Sequence, residues 1–251
     1  MGQRRVIYAV VESCPFDSLL VRDIRKVVNT LLQLNLKRFK VPQKTMTKYS
    51  ALDVMKQALE LMFEFTPSEK NYREAMRTIR VYSEGDTEMF QVLKSSFKFV
   101  ANAVYNAYAG QRYVEKLSPE ILFLQGLPFD QAELEQAFRF VGVKPPNTCT
   151  PTVKKTFFLD QGYEPYRQFL QGIVQQPAKG REENWIQVME TALSEFSGRA
   201  LIRVGSVHVG SHVPRFLSRD TGHLTPMLRK RNIEVEIVAK IADLNQVLGK
   251  R

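Results

Sequence analysis

The sequence predicts an α/β fold with a mainly parallel central sheet, flanked by helices, and a helical insertion or cap in the middle of the chain. Two observations predict it. Segments rich in β-branched and aromatic residues alternate with segments of helical spacing near both ends of the chain, and residues 44–145 have a mostly helical pattern. Such alternation is typical of parallel strands joined by right-handed crossovers. We therefore expect one domain over residues 1–251, with residues 44–145 as the cap or insertion.

The chain opens with a strand followed by a helix. RVIYAVVE, residues 5–12, favours a strand buried on both faces, because most of its residues are β-branched, aromatic or small and apolar. The next residues, SCPFD, break this pattern, and Asp17 or Ser18 can cap a helix over about residues 19–39. Apolar residues at helical spacing predict one buried face for this helix.

Helical patterns dominate the middle of the chain. ALDVMKQALELMFEF has helical spacing, and TPSEKNYREAMRTI begins with a Pro and Ser start signal. Asp86 is expected to cap a helix of about 23 residues that ends at Gly110. ILFLQGLP fits either a strand or a buried turn, DQAELEQAFRFVG predicts a helix, and KPPNTCTPT is the clearest loop.

Strands and helices alternate again after that loop. VKKTFFL, RALIRVGSV and IEVEIVAKI predict three strands, which we expect to join the opening strand in one sheet. The segments between them predict helices: YEPYRQFLQGIVQQ, REENWIQVMETALSEF and LTPMLRKRN.

Composition and charge exclude some classes of protein and indicate a kind of partner. No apolar run approaches the ~18 residues that span a bilayer, so we predict no transmembrane segment. There is no signal-peptide pattern, and two distant cysteines, Cys14 and Cys149, are not a disulfide framework, which favours a reducing intracellular compartment. The net charge of +10 suits RNA, an anionic membrane surface or an acidic protein partner. Because the Lys and Arg are scattered, however, a solvated basic surface is the preferred explanation of this charge.

Polar residues follow two predicted strands at their carboxyl ends. The first strand leads into Glu12 and Cys14, and the second last leads into His208 and His212. Ligands of open α/β sheets bind beyond the carboxyl ends of the strands. If these two strands are neighbours, a carboxylate, a thiol and an imidazole share a crevice that can hold a metal or perform acid–base catalysis. Alternatively, Cys14 is a small buried apolar residue. His212 is expected to be a loop neighbour.

The helix predicted for REENWIQVMETALSEF has a polar first turn. Glu182 and Glu183 suit the positive end of the helix dipole, so this favourable charge interaction alone explains them. Arg181 and Asn184, three residues apart, present two planar hydrogen-bonding groups on one face beside Trp185. We expect Trp185 to pack in the core.

In this order, these segments resemble the carboxyl-terminal part of the TIKI/TraB superfamily, which includes TraB/GumN-type proteins, TIKI proteases, ChaN-like haem-binding proteins and erythromycin esterases. The resemblance rests on Arg181, Asn184 and Trp185 at a helix start, on a strand ending in GxxH at residues 205–208, and on LRKRNIEVEIV. It covers the two ends of the chain better than the helical middle.

Two further elements of the superfamily fall in the amino-terminal part of the chain. YSEGDTEMFQVL, residues 82–93, is similar to a Tyr-x-x-Gly-Asp element that precedes a helix in TraB-like proteins. The first GxxH or GExH motif would fall on VESC, where Glu12 fits the motif but Val11 replaces Gly and Cys14 replaces His. The chain therefore departs from the family pattern at one histidine.

The resemblance implies a single TIKI/TraB-like domain that hydrolyses a peptide, ester or amide bond. The catalytic residues it implies are Glu12, His208 and Glu182, with Glu183 as the alternative to Glu182. Arg181 and Asn184 would take part in substrate binding. It also implies a divalent metal ion, Zn or Mn, whose ligands would be His208, Cys14 and Glu12. A thiolate ligand favours zinc over a harder ion.

Two other hypotheses follow from the same residues. Because one histidine motif is lost, the chain is alternatively an inactive family member, a basic scaffold that binds RNA or an acidic protein as a component of a larger assembly. The third hypothesis is a cleft that binds haem through His208 or Cys14, although no axial-ligand motif stands out.

Overall fold

The computed structural model describes residues 5–13, 18–41, 48–64, 67–147, 150–170, 180–209 and 224–248. The predictions made for Cys14, Cys149 and His212 lie outside these ranges. The predicted α/β fold class is confirmed. The sheet is parallel throughout, and a long helical insertion separates its first two strands.

The sheet consists, in the described ranges, of five strands. They are β1 (Arg5–Glu12), β2 (Ile121–Leu124), β3 (Lys155–Phe158), β4 (Ala200–Gly205) and β5 (Ile233–Ile241). Their spatial order is β3-β2-β4-β1-β5. The four predicted strands are confirmed, and ILFLQGLP, left open between strand and turn, contains β2. The expected neighbours β1 and β4 pair directly, with Glu12 beside Gly205.

Helices fill the connections between the strands. Between β1 and β2 lie α1 (Ser18–Arg38), α2 (Lys48–Phe63), α3 (Glu69–Tyr82) and α4 (Thr87–Leu117). The remaining helices are α5 (Gln131–Phe140), α6 (Glu164–Leu170), α7 (Arg181–Glu195), α8 (Leu224–Lys230) and α9 (Leu244–Val247). A 3-10 turn at residues 206–208 follows β4. Within the ranges that are described, no helix combines the length and apolarity that a membrane crossing needs.

The chain divides into two compact units. The first contains the sheet and comprises Met1–Ser18, Asn106–Pro128 and Asn147–Ala242. The second is helical and comprises Leu19–Tyr105, Phe129–Pro146 and Asp243–Arg251. The division falls inside α4, and the single domain predicted for residues 1–251 stays a prediction.

In the first unit, one face of the sheet packs against α7 and α8. Alternate residues of β1 and β4 join Trp185 of α7 and Leu228 of α8 in one apolar cluster; those of the strands are Ile7, Ala9, Val11, Ala200, Ile202 and Val204. Because successive side chains of a strand point to opposite faces, Glu12 and Arg203 lie on the other face. The two faces therefore differ, since the second carries a charged pair.

The second unit is held by apolar helix faces and by a few buried polar contacts. α1 buries Ile24, Val28, Leu32 and Leu36, which recur every fourth residue. In α4, the side-chain oxygen of Asn102 accepts a hydrogen bond from the backbone N–H of Leu244 at 2.7 Å, which ties α9 to α4. These contacts satisfy polar groups that would otherwise be costly to bury.

The helix predicted to end at Gly110 instead continues to Leu117. Its start is as predicted, because the Asp86 carboxylate accepts the backbone N–H of Met89 at 2.8 Å. The glycine serves packing rather than helix termination. A Cβ at residue 110 would lie 2.5 Å from Oε1 of Glu12 and 2.6 Å from Cζ of Arg203, so only glycine allows α4 this close to the charged pair.

Gly110→Ala should therefore destabilise the protein by about 1–3 kcal/mol, because the clash outweighs the higher helix propensity of alanine. Urea unfolding, followed by the fluorescence of the single tryptophan, measures the change. The same substitution should cost less in an Arg203→Ala background, where the guanidinium is gone. An equal cost in both backgrounds would show that the guanidinium is not what residue 110 must avoid.

Candidate functional site

The carboxyl ends of β1 and β4 form the topological switch point of the sheet. The connection after β1 returns through α4, whose Gly110 faces Glu12 and Arg203. The connection after β4 passes through α8, which packs in the apolar cluster on the other face. Ligands of open α/β sheets bind where successive connections diverge to opposite faces. This edge of the sheet is therefore the candidate site.

Glu182 and His208 form a buried pair at this edge. Glu182 lies in the first turn of α7, and His208 ends the 3-10 turn after β4. Oε1 of Glu182 is 2.9 Å from Nδ1 of His208, and the two side chains are 8% and 7% exposed. The Trp185 ring packs against the imidazole, with 4.5 Å between ring centroids. The imidazole is thus held on one side by an acceptor and on another by an aromatic ring.

The environment of His208 favours a neutral imidazole. Burial lowers the pKa of His208 below its ordinary value of 6.5, and the hydrogen bond with Glu182 opposes this shift. An ionised carboxylate can only accept hydrogen bonds, so the proton of the neutral ring belongs on Nδ1 and the lone pair on Nε2. No hydrogen-bond partner of Nε2 occurs among the described residues. This nitrogen can therefore accept a proton.

Asp160 anchors the start of α7 and was missed by the sequence analysis. Its carboxylate is fully buried and accepts four hydrogen bonds. The donors are Nε and Nη2 of Arg181, both at 2.7 Å, Nε1 of Trp185 at 2.8 Å and the backbone N–H of Gly126 at 2.9 Å. Asp160 follows β3 by two residues. Glu12 and His208 were selected because they follow the carboxyl ends of strands, and Asp160 meets the same criterion.

Arg181 and Asn184 both reach the turn that follows β3. The guanidinium of Arg181, paired with Asp160, lies 4.0 Å from the ring centroid of Tyr166 and 4.8 Å from that of Trp185. Asn184 donates from Nδ2 to the Leu159 carbonyl at 2.8 Å. Both side chains thus fix α7, and their part in substrate binding stays a prediction. The expected core position of Trp185 is confirmed, since its side chain is fully buried in the apolar cluster.

Glu12 lies on the opposite face of the sheet from His208. Its neighbour Val11 packs in the cluster that contains Trp185, so Glu12 points away from the His208 side. Its Oε1 accepts a hydrogen bond from Nε of Arg203 at 2.7 Å. Burial raises the pKa of Glu12, and the charge of Arg203 opposes this shift. β1 and β4 are neighbours as expected, but the alternation of side chains prevents Glu12 and His208 from sharing one crevice.

The predicted metal ligands do not come together in the described part of the chain. There, no three His, Cys, Asp or Glu side chains are grouped so that they could hold a metal ion. Glu12 and His208 face opposite sides of the sheet, and Cys14 lies outside the described residues. The described donors alone do not form a Zn or Mn centre, so the metal ion stays a prediction and we assign no metal-dependent step. Haem binding through His208 or Cys14 also stays a prediction.

Asp160→Asn should destabilise the protein by about 3 kcal/mol, because it leaves the nearly buried Arg181 guanidinium without a counter-charge. Urea unfolding followed by Trp185 fluorescence measures this loss. Glu190→Gln is the matched control on the same helix, since it breaks a more exposed pair with Arg231 and should cost less than about 1 kcal/mol. Similar losses in both variants would contradict the anchoring role of Asp160.

The lowered pKa of His208 should make the free energy of unfolding depend on pH. As the pH falls below about 6.5, the unfolded chain binds a proton at this residue that the folded chain excludes, so stability falls. Between about pH 7 and about pH 5, wild type should lose more stability than His208→Gln, which lacks the titrating group. Urea unfolding at each pH measures both. Parallel pH curves would show that His208 titrates alike in the folded and unfolded states.

Comparison with known proteins finds no match to this chain among family models, curated proteins or solved structures. The resemblance to the TIKI/TraB superfamily therefore rests on the sequence motifs and stays a prediction.

Proposed function

We propose that this chain is a hydrolase in which His208 is the general base and Glu182 orients it. The observation that carries the proposal is the 2.9 Å contact between Oε1 of Glu182 and Nδ1 of His208, at the switch point of the sheet. A carboxylate that is hydrogen-bonded to one ring nitrogen fixes the tautomer and the orientation of the imidazole, and leaves a lone pair on the other nitrogen to act as the base. The resemblance to the TIKI/TraB superfamily supports the same two residues and the same class of reaction.

The proposed reaction is attack of water on the carbonyl carbon of an ester, amide or peptide bond. Nε2 of His208 takes a proton from the water as its oxygen bonds to the carbon. Glu182 holds the ring in place and stabilises the imidazolium that forms. The imidazolium then returns the proton to the leaving oxygen or nitrogen as the bond to carbon breaks. The products are a carboxylic acid and an alcohol or amine.

Two features of the surroundings support this assignment. The lowered pKa of His208 keeps the imidazole neutral near pH 7, so the base is in its reactive form. The hydrogen bonds of Asp160 with Arg181 and Trp185 hold the first turn of α7, and with it Glu182, in a single position. Glu12 faces the other side of the sheet and has no part in the step proposed here.

Hydrolysis of activated esters and fluorogenic peptide amides tests the proposal. His208→Gln should lower kcat/KM about 100-fold or more, because a positioned general base contributes about 10²–10⁴ to the rate. Glu182→Gln should lower it by a smaller factor, and Glu190→Gln on the same helix should leave it unchanged. In wild type, kcat/KM should rise with pH through an apparent pKa below about 6.5, and this step should be absent in His208→Gln.

Equal values of kcat/KM in wild type and a folded His208→Gln variant would show that His208 is not the general base. No turnover of any substrate in the panel would favour the alternative, an inactive member of the superfamily that has lost the first histidine motif at Cys14. Circular dichroism and the fluorescence of Trp185 establish whether each variant is folded.

A further inference from the structure

One side of α1 is basic and polar. An open groove of about 550 Å³ runs along it, and its lining residues are Arg25, Lys26, Asn29, Thr30, Gln33, Leu34 and Lys37. These residues recur at spacings of three and four, so they form a row along the helix that starts beside the buried stripe of Ile24, Val28, Leu32 and Leu36 and extends over its exposed side. Of these described lining residues, none is acidic and three are cations.

The charges of Arg25 and Lys37 are not neutralised by the described residues. Both side chains are exposed, and neither forms an ion pair within the described ranges. Arg25 has a weak cation–π contact, with its guanidinium 5.7 Å from the ring centroid of Phe140. Exposed cations without a carboxylate neighbour keep their attraction for an anionic ligand.

Asn29, near the middle of the row, has a polar side chain that finds no hydrogen-bond partner among the described residues. Its Oδ1 is buried and has no hydrogen-bond partner, and the described residues provide no partner for its Nδ2 either. A buried acceptor without a partner costs about 1–3 kcal/mol, so the amide does not stabilise α1. Asn29 lines the groove and no described residue occupies its Nδ2 donors, so a ligand in the groove can supply a partner for the amide.

We propose that this face of α1 binds the phosphate backbone of a nucleic acid strand. Phosphate oxygens are contacted in complexes mainly by Arg and Lys, and by hydroxyl and amide side chains such as Thr, Asn and Gln, which are the groups that line the groove. The distance from Arg25 to Lys37 along a helix is about 18 Å, close to the rise of five base pairs. The row is thus long enough to contact several successive phosphates.

An acidic protein is disfavoured by the same lining. Protein interfaces concentrate aromatic and apolar side chains at their centre, whereas nucleic-acid interfaces are more polar and more positively charged. Among the lining residues that the structure describes, Leu34, which is 57% exposed, is the one apolar residue, and none is aromatic. The proposal does not depend on hydrolysis, because α1 belongs to the second unit and the Glu182–His208 pair to the first.

Fluorescence anisotropy of the full chain with labelled RNA and DNA strands of about 20 nucleotides tests the proposal at about 50–300 mM KCl. The groove variant is Arg25→Gln with Lys37→Gln. Its matched control is Arg229→Gln with Lys230→Gln, which removes two charges from exposed residues at the end of α8. The groove variant should raise Kd about tenfold or more and reduce the slope of log Kd against log salt by about 1.5, whereas the control should change Kd less than about threefold.

Three results would overturn the proposal. The first is an equal loss in both variants, because binding would then follow net charge rather than this groove. The second is no binding of RNA or DNA by wild type at the lowest salt. The third is displacement of the strand by poly-L-glutamate at equal charge concentration, which would favour an acidic protein partner. If the double variant does not fold, Lys37→Gln alone should reduce the salt slope by about 0.7–0.9.

Discussion

The fully buried carboxylate of Asp160 is the constraint on which the candidate site depends. It compensates the charge of Arg181, satisfies the indole N–H of Trp185 and accepts the backbone N–H of Gly126, so one side chain joins the loops after β2 and β3 to α7. A buried anion is stable only where its lone pairs are filled, and here four donors fill them. The position of Glu182, one residue after Arg181, follows from this anchor.

On each face of the sheet, near the switch point, a buried carboxylate pairs with a basic side chain. On one face Glu182 meets His208, and on the other Glu12 meets Arg203. In each pair, desolvation has the larger effect on the pKa, since Glu12 is raised although it faces a guanidinium and His208 is lowered although it faces a carboxylate. Buried ion pairs often add little net stability, whereas perturbed ionisable groups are frequent at functional sites. Their position at the carboxyl ends of the strands, where ligands of open α/β sheets bind, therefore favours a functional interpretation.

The strands and their adjacency could be predicted because runs of β-branched residues alternate with helical segments. The sequence could not predict on which face of the sheet the last side chain of each strand lies. A strand such as RVIYAVVE is buried on both faces, so it lacks the alternation of apolar and polar residues that would identify the faces. Without this information, Glu12 and His208 were expected in one crevice, and the structure places them on opposite faces of the sheet. Gly110 was misread because glycine is compatible both with a helix end and with close packing.

Other parts of the site left signals that were not used. Arg203 interrupts the otherwise apolar strand ALIRVG, and a cation that is largely covered by the fold needs a partner, which is Glu12. Asp160 lies just beyond the carboxyl end of β3, where ligands of open α/β sheets bind. The resemblance implied Glu182 and His208 as catalytic residues, but their direct contact could not be derived from spacing, because 26 residues separate them and only the docking of α7 on the sheet brings them together.

The state of the His208 ring is the most direct test of the account. Long-range ¹H–¹⁵N NMR near pH 7 reports which ring nitrogen carries a proton, and comparison with His208→Gln assigns the signals among the three histidines of the chain. The account predicts a neutral imidazole with its proton on Nδ1 and an unprotonated Nε2. A proton on Nε2, or on both nitrogens, would leave no base directed at substrate and would contradict it.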